Sequence, residues 1–278
     1  MLDRSAEAVL ASVLSTYPLR ATISDSFRYC GEWREREPDT AWATFHLLAS
    51  GWCWVEAQAG ILPGPVRLEA GDLVIFPRGA AHVLSNAPPG QPRESSPEDT
   101  TMLCGDLHFP AGTRNPVLDA LPDCLLVRRT ESEARFVQLA ELLILESRQR
   151  AIGNQVVLDK LADALFVMAV RHHVTHVPNQ NGLLAALLDP KLALALEAVH
   201  RHPGSDWTVA RLAEVACMSR TAFAERFSEV LSISPHQYLT ELRMTEALRL
   251  LRDPRLSVTA IAEQLGYQSE AAFRRTFK

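Results

Sequence analysis

Two stretches near the C-terminus of this 278-residue chain repeat one another. Leu212 to Phe227 reads LAEVACMSRTAFAERF, and Ile261 to Phe277 reads IAEQLGYQSEAAFRRTF. Leu212, Ala213 and Glu214 match Ile261, Ala262 and Glu263, and Phe223 and Phe227 match Phe273 and Phe277, with one extra residue in the second copy's turn. Each copy has the pattern of a helix-turn-helix. An Ala, Ala213 or Ala262, marks where two helices cross closely, and Cys217-Met218 or Gly266-Tyr267 forms the turn. Ser219 or Ser269 then caps a second helix that buries Phe at i and i+4 and leaves its other face outward. Two such units need a rigid spacer, and His236 to Arg252 as a helix spans about 25 Å. That length suits two recognition helices set about one DNA turn, ~34 Å, apart in successive major grooves.

The segments WTVARLA, MSRTAFAERF, SPHQYLTELRMTEALRLL, VTAIAEQLGY and SEAAFRRTFK follow in the order of the AraC/XylS DNA-binding domain, which the chain resembles from about Leu192 to Lys278. Carried over position by position, the resemblance implies base-reading roles for Thr221, Ala224 and Glu225 in the first unit, with Arg220 and Arg226 beside them. In the second unit it implies Glu270, Ala271, Arg274 and Arg275, with Lys278 on the DNA backbone. Arg274 and Arg275 stand out, because Arg to guanine is the commonest specific contact. For any one of these residues the alternative is a solvated helix face. The family usually has Gly where this chain has Ser232, before Ser234-Pro235. Its pattern also runs on past the second recognition helix, so the sequence is expected to continue beyond Lys278. The resemblance further implies double-stranded promoter DNA and RNA polymerase as partners, and a homodimer.

Charge does not announce such a role. The net charge is −5, but from Leu183 onward twelve Lys and Arg face eleven Asp and Glu, a balance of +1, which leaves −6 on the first 182 residues. An excess that small would not identify a nucleic-acid binder, so the motif carries the reading. The five cysteines (Cys30, Cys53, Cys104, Cys124, Cys217) are odd in number and contain no CxxC pair, as befits a reducing cytoplasm. No apolar run approaches the roughly 20 residues of a membrane span, and Met1 to Leu14 lacks the build of a signal peptide.

Upstream, Ala21 to Val127 reads as β structure. Runs at Ala43 to Leu48, Trp52 to Ala57, Leu73 to Phe76, His82 to Ser85 and Met102 to Phe109 are broken by Gly and Pro. Pro88 to Thr100 is a polar loop. Ser132 to Gln149 and Gln155 to Val174 carry apolar residues at helical spacing around Gly153-Asn154, which predicts a helix hairpin, and Val177 to Gly182 is the linker candidate. Asp189-Pro190 starts a helix that Pro203-Gly204 ends. The expected class is α+β: a β-barrel over 1–130, which the motif below makes cupin-like by resemblance, a helical hairpin and linker over 131–182, and an all-α double helix-turn-helix over 183–278.

The barrel rests on GDLVIFPRGAAHVLSN, Gly71 to Asn86, which resembles the second cupin motif through Gly71, Pro77, Gly79, His82 and Asn86. FHLLASGWCWVEA, Phe45 to Ala57, is expected to form the facing hairpin. A turn of this type points His82 inward. His46 shares a strand face with Thr44, and Cys104 lies on a later strand where Gly105 leaves space. His46, His82 and Cys104 are therefore the candidate effector pocket. With His108 they are also candidate ligands for zinc or another divalent metal, against a pocket of hydrogen-bonded histidines. Cys30 and Cys104 are redox candidates, against buried packing thiols. Some AraC-type regulators with this order of motifs respond to reactive oxidants, so the effector is a small molecule or an oxidant. Cys217 reads as turn packing, and His172 and His176 as an exposed helix end. The reading is a transcription regulator and not an enzyme. The rival is a cupin metalloenzyme, an isomerase or dioxygenase, but the two His and one Glu of the first cupin motif are missing, as are a P-loop, GxSxG, HExxH and a dinucleotide fingerprint.

Overall fold

The computed structural model describes residues 9–14, 17, 19–87, 99–109, 115–149, 151–177 and 182–277. The polar loop expected at Pro88 to Thr100 and the linker expected at Val177 to Gly182 lie largely outside them. The chain divides into two compact units, one of Leu19–Phe109 with Leu121–Pro178, the other of Met1–Pro18, Pro110–Ala120 and Asn179–Lys278.

Among the described residues of the first unit nine strands form two antiparallel sheets: β1 (Arg20–Tyr29), β2 (Arg34–Glu37), β3 (Ala43–Ser50), β4 (Trp52–Ala57), β5 (Val66–Glu69), β6 (Leu73–Phe76), β7 (His82–Ser85), β8 (Thr100–His108) and β9 (Leu125–Val127). Their orders are β1-β8-β3-β6-β9 and β2-β7-β4-β5. Apolar side chains from both sheets, including Leu48, Val55, Leu68, Val74, Phe76, Leu84 and Met102, fill the space between them. The stretch Phe45 to Ala57 is not the hairpin expected from sequence. β3 pairs with β6 and β8 in one sheet, while β4 pairs with β5 and β7 in the other. The chain turns the corner at Gly51, where φ is +73°, so consecutive strands face each other across the core. β6 and β7 are likewise split between the sheets by the Pro77–Gly79 turn. That turn requires Gly79: φ is +62°, and a Cβ there would lie 2.2 Å from Thr40 Oγ1.

The expected helix hairpin is present as α2 (Ala134–Ser147) and α3 (Asn154–His176), after a short α1 (Pro116–Ala120). It belongs to the sheet unit. Phe136, Ala140, Leu143, Leu158, Leu165, Phe166 and Ala169 are buried. Two carboxylates of α3 receive backbone donors of β1, Ala21 N to Asp163 at 2.6 Å and Ile23 N to Asp159 at 3.3 Å. Helices on one face and a second sheet on the other explain why β3 is buried almost throughout, where a one-sided strand would alternate.

The other unit carries α4 (Gly182–Leu188), α5 (Pro190–Arg201), α6 (Val209–Val215), α7 (Arg220–Leu231), α8 (Pro235–Leu250), α9 (Val258–Gln264) and α10 (Glu270–Phe277). Asp189, Ser219, Ser234 and Ser257 cap α5, α7, α8 and α9 through their side chains, and Ser269 does so for α10. Each such cap stabilises its helix by about 1 kcal/mol. Ala213 and Ala262 are buried where the helices of each pair meet, with Phe223 and Phe273 beneath them. Both turns close by the same pair of backbone bonds, Cys217 N to Glu214 O with Met218 N to Ala213 O, and Gly266 N to Glu263 O with Tyr267 N to Ala262 O. The bonds force the first turn residue into the left-handed region, φ +52° at Cys217 and +77° at Gly266. Cys217 is thus exposed at a strained corner and does not pack inward as expected.

Candidate functional site

Among the apolar side chains of the inter-sheet core runs a line of polar groups. β3 contributes His46 and β8 contributes Cys104, which sit opposite each other in the ladder. β7, from the other sheet, contributes His82. All three are buried. His46 Nδ1 lies 3.0 Å from Cys104 Sγ, and His46 Nε2 lies 2.7 Å from His82 Nε2. His82 Nδ1 lies 2.8 Å from the carbonyl oxygen of Ala80. Phe76 stacks on the His82 ring at 3.9 Å and 13° and holds its plane.

These partners fix the proton positions. A carbonyl only accepts, so His82 Nδ1 carries hydrogen and Nε2 offers a lone pair. His46 Nε2 must then donate to it, which leaves His46 Nδ1 as the acceptor for the Cys104 thiol. The result is a directed chain, Cys104 S–H to His46 to His82 to Ala80 C=O. Burial depresses the basicity of both rings, His46 well below the ordinary value with His82 adding to the effect, and His82 to about 4 despite its bond to Ala80. Both imidazoles are therefore neutral near pH 7, as the chain requires. His46 Nδ1 thus accepts from the Cys104 thiol and orients it.

Around this chain Thr44 Oγ1 is buried without a hydrogen bond among the described residues. Tyr29 borders the thiol, its phenol pushed up by burial first and then by Cys104. Glu37 sits opposite His82 in the β2–β7 ladder, its carboxyl raised by burial and then by Glu35 and Asp106. Neither Glu37 nor the Ala80 carbonyl was singled out from sequence. A backbone acceptor leaves no mark in a sequence, and Glu37 stands in a run of alternating charge that reads as solvated.

The structure does not bring the other candidates here. His108 is four residues further along β8, about 13 Å at strand rise, exposed and tilted against Trp42. Cys30 follows Tyr29, which pairs with Thr100, whereas Cys104 pairs with Asp25. Five residues of strand separate the thiols by roughly 16 Å, beyond the ~7 Å Cα separation that a disulfide spans. Cys30 is exposed, with its thiol raised first by a hydrogen bond to Asp99. Gly105 leaves no space beside Cys104: it points to the opposite face, where a Cβ would lie 2.6 Å from the Phe45 ring. Nor do His46, His82 and Cys104 fit one metal ion. Cys104 and His82 address opposite nitrogens of the His46 ring, so their donors do not converge, and no group of three metal-ligating side chains occurs among the described residues.

In the helical unit the outward faces of α7 and α10 sort the remaining candidates. Arg275 and Arg220 are exposed and make no ion pair or hydrogen bond among the described residues, as do Thr221 and Glu225. Arg226 is committed to Asp189 at 3.1 Å and Glu229 at 3.2 Å. Arg274 binds Glu270 at 2.7 Å, and Glu270 also accepts from Thr259 at 2.6 Å. Ala224 is half-buried, Ala271 is exposed, and Lys278 lies outside the described residues. His172 and His176 stack at 4.2 Å, with His176 Nδ1 turned onto its own helix at the His172 carbonyl, 2.9 Å away.

Residues 8–175 match the family model of a cupin, and residues 212–278 that of a helix-turn-helix domain. A putative AraC-like transcription regulator of Streptomyces lividans is 30% identical over 97% of this chain and 93% of its own length. An uncharacterized HTH-type transcriptional regulator of Haemophilus influenzae is 29% identical over 94% and 91%. The RCS-specific HTH-type transcriptional activator RclR of Escherichia coli is 30% identical over 84% and 79%.

Proposed function

The chain belongs to the AraC-like transcription regulators that join a cupin domain to a helix-turn-helix domain, and from that membership we propose that the His46–His82–Cys104 chain is its effector sensor. The observation that carries the proposal is the directed hydrogen-bond chain that ends on the Cys104 thiol, among the apolar side chains of the core. Such a chain has two states. A group that takes the thiol's proton, oxidises the sulfur or bonds to the Thr44 hydroxyl changes the hydrogen-bond partners of His46 and, through it, of His82 on the facing sheet. The oxidisable sulfur at the end of the chain supports an oxidant as effector; a neutral small molecule bonded to Thr44 is the alternative occupant. The geometry supports no step through a metal.

The output is DNA binding through α7 and α10 at a promoter, with RNA polymerase as the further partner, and the site of action is the cytoplasm. The sheet unit acts by binding and not by turnover. The hairpin leaves Leu142, Leu145 and Val156 exposed at 48%, 55% and 65%, an apolar edge that supports self-association of two copies.

The test uses the full chain and a reporter behind a promoter footprinted with it. Cys104→Ala and His82→Ala, made separately, should keep basal DNA binding and lose induction by oxidant. Normal induction of both variants would place the sensor elsewhere.

A further inference from the structure

Arg243 lies near the middle of α8, the helix that joins the two helix-turn-helix units. Its Nε donates to the Pro203 carbonyl at 2.8 Å and its Nη2 to the Ser205 carbonyl at 2.8 Å. These carbonyls belong to the turn that leads into the first unit. The same guanidinium lies over the ring of Tyr267, 5.6 Å from its centroid, and Tyr267 is the turn residue of the second unit. The two turns also touch directly. A Cβ on Gly204 would lie 2.0 Å from the Gln264 carbonyl oxygen, and one on Gly266 would lie 2.3 Å from the Gly204 oxygen and 3.0 Å from Arg243 Nη2. Beside this junction runs a cleft of about 470 Å³, lined by His200, Gly204, Leu242 and Gln264 among others.

α8 supports both units along one line. Phe227 of α7 packs against Tyr238 near its start, and Ala247 and Leu250 near its end join the core of the second unit. A single helical axis sets the distance between two bodies and leaves them able to roll about it. The Arg243 junction is a second, off-axis attachment, which removes that roll. On DNA a roll of about 35° corresponds to one base pair of spacing, because one turn holds 10–10.5 base pairs. We propose that Arg243 is a positioning residue that locks the rotational phase of the two recognition helices, and thereby sets the half-site spacing the protein accepts, without touching DNA itself. The inference rests on both units binding one operator.

The experiment selects a binding site from a random-sequence duplex library with the full wild-type chain, then inserts or deletes one and two base pairs between the half-sites. Wild type should lose about tenfold in affinity per step, the scale of a misread base pair. Arg243→Ala should flatten that dependence to about threefold or less while the base preference within each half-site stays unchanged. Tyr267→Leu removes the ring partner of Arg243 while keeping an apolar side chain against Phe273, and should flatten it in the same sense, which keeps the test open if Arg243→Ala is poorly folded by circular dichroism. A spacing dependence as sharp as wild type in both folded variants overturns the proposal. So does a salt slope lowered by about one in Arg243→Ala, because that marks a lost phosphate contact. Failure of wild type to select any site would defeat the shared operator itself, a separate outcome.

Discussion

Acid should loosen the sheet unit through the buried His82. Burial lowers this ring from 6.5 to about 4. A base whose folded pKa is depressed costs no stability above the unfolded value, where both states are neutral. As pH falls below 6.5 the unfolded chain takes up the proton first, and stability drops until pH passes about 4. At 1.36 kcal/mol per unit the full loss is about 3 kcal/mol, of which about 2 kcal/mol has accrued by pH 5. His46 acts in the same direction, and Glu37, with a raised carboxyl, in the opposite one. The comparison is therefore with His82→Met, which leaves both in place. At neutral pH the variant should be about 1–3 kcal/mol less stable, because His46 Nε2–H is left without its acceptor. That gap should narrow by about 2 kcal/mol on going to pH 5, because the variant has no ring to protonate at this position. Urea unfolding followed by Trp fluorescence in a Trp207→Phe background reads the sheet unit alone, since the other tryptophans, Trp33, Trp42, Trp52 and Trp54, all lie there. A gap that stays constant from neutral pH to pH 5 would refute the burial argument.

Arg275→Ala should weaken specific DNA binding by about 1–3 kcal/mol and relax preference at one base pair, whereas Arg226→Ala, already engaged with Asp189 and Glu229, should leave base preference intact; binding to a panel of single-base operator variants separates them. Ala213→Leu or Ala262→Leu overpacks a helix crossing at a cost of about 1–3 kcal/mol, and normal operator affinity in both would sink the helix-turn-helix packing. Ser232→Gly should stabilise the helical unit by about 1 kcal/mol, because Ser232 holds φ +59° at the end of α7 and glycine adopts that region without strain; an unchanged or lowered midpoint in thermal unfolding counts against it. Leu145→Glu with Val156→Glu should convert any dimer to monomer in sedimentation, since both side chains lie on the exposed apolar edge of the hairpin.

The repeat was legible because its signals are local. Ser219, Ser257 and Ser269 cap helices by bonding the backbone three residues on, and the buried Phe and Ala positions follow the 3.6-residue period. The departure from the family pattern at Ser232 was also legible, although its meaning came from φ. The strands at Trp52–Ala57, Leu73–Phe76 and His82–Ser85 fall where alternation and turn residues put them. β1 was less visible, because RATISDSFRY carries polar residues on its exposed edge and a register shift between Ile23 and Asp25 that breaks the alternation. The short β9 and α1 hold too few residues for any periodicity to show.

The sequence alone determined that this chain carries two helix-turn-helix units behind a cupin-like sheet domain, because caps, turns and hydrophobic period act over three or four residues. It also pointed His82 inward through its turn and put His46 on the strand face of Thr44, whereas the space expected beside Cys104 at Gly105 is absent, because Gly105 faces the Phe45 ring. Only the tertiary structure decided which strands pair. Phe45 to Ala57 turns a corner where sequence alone suggested a hairpin, because two sheets must close over one core. Only the structure decided which partner each nitrogen of His46 meets, that the thiol ends a chain anchored on a backbone carbonyl, that His108 and Cys30 stand apart from it, and which arginines are already committed to carboxylates. Those are matters of ångströms between residues dozens of positions apart, and local chemistry along a chain does not encode such distances.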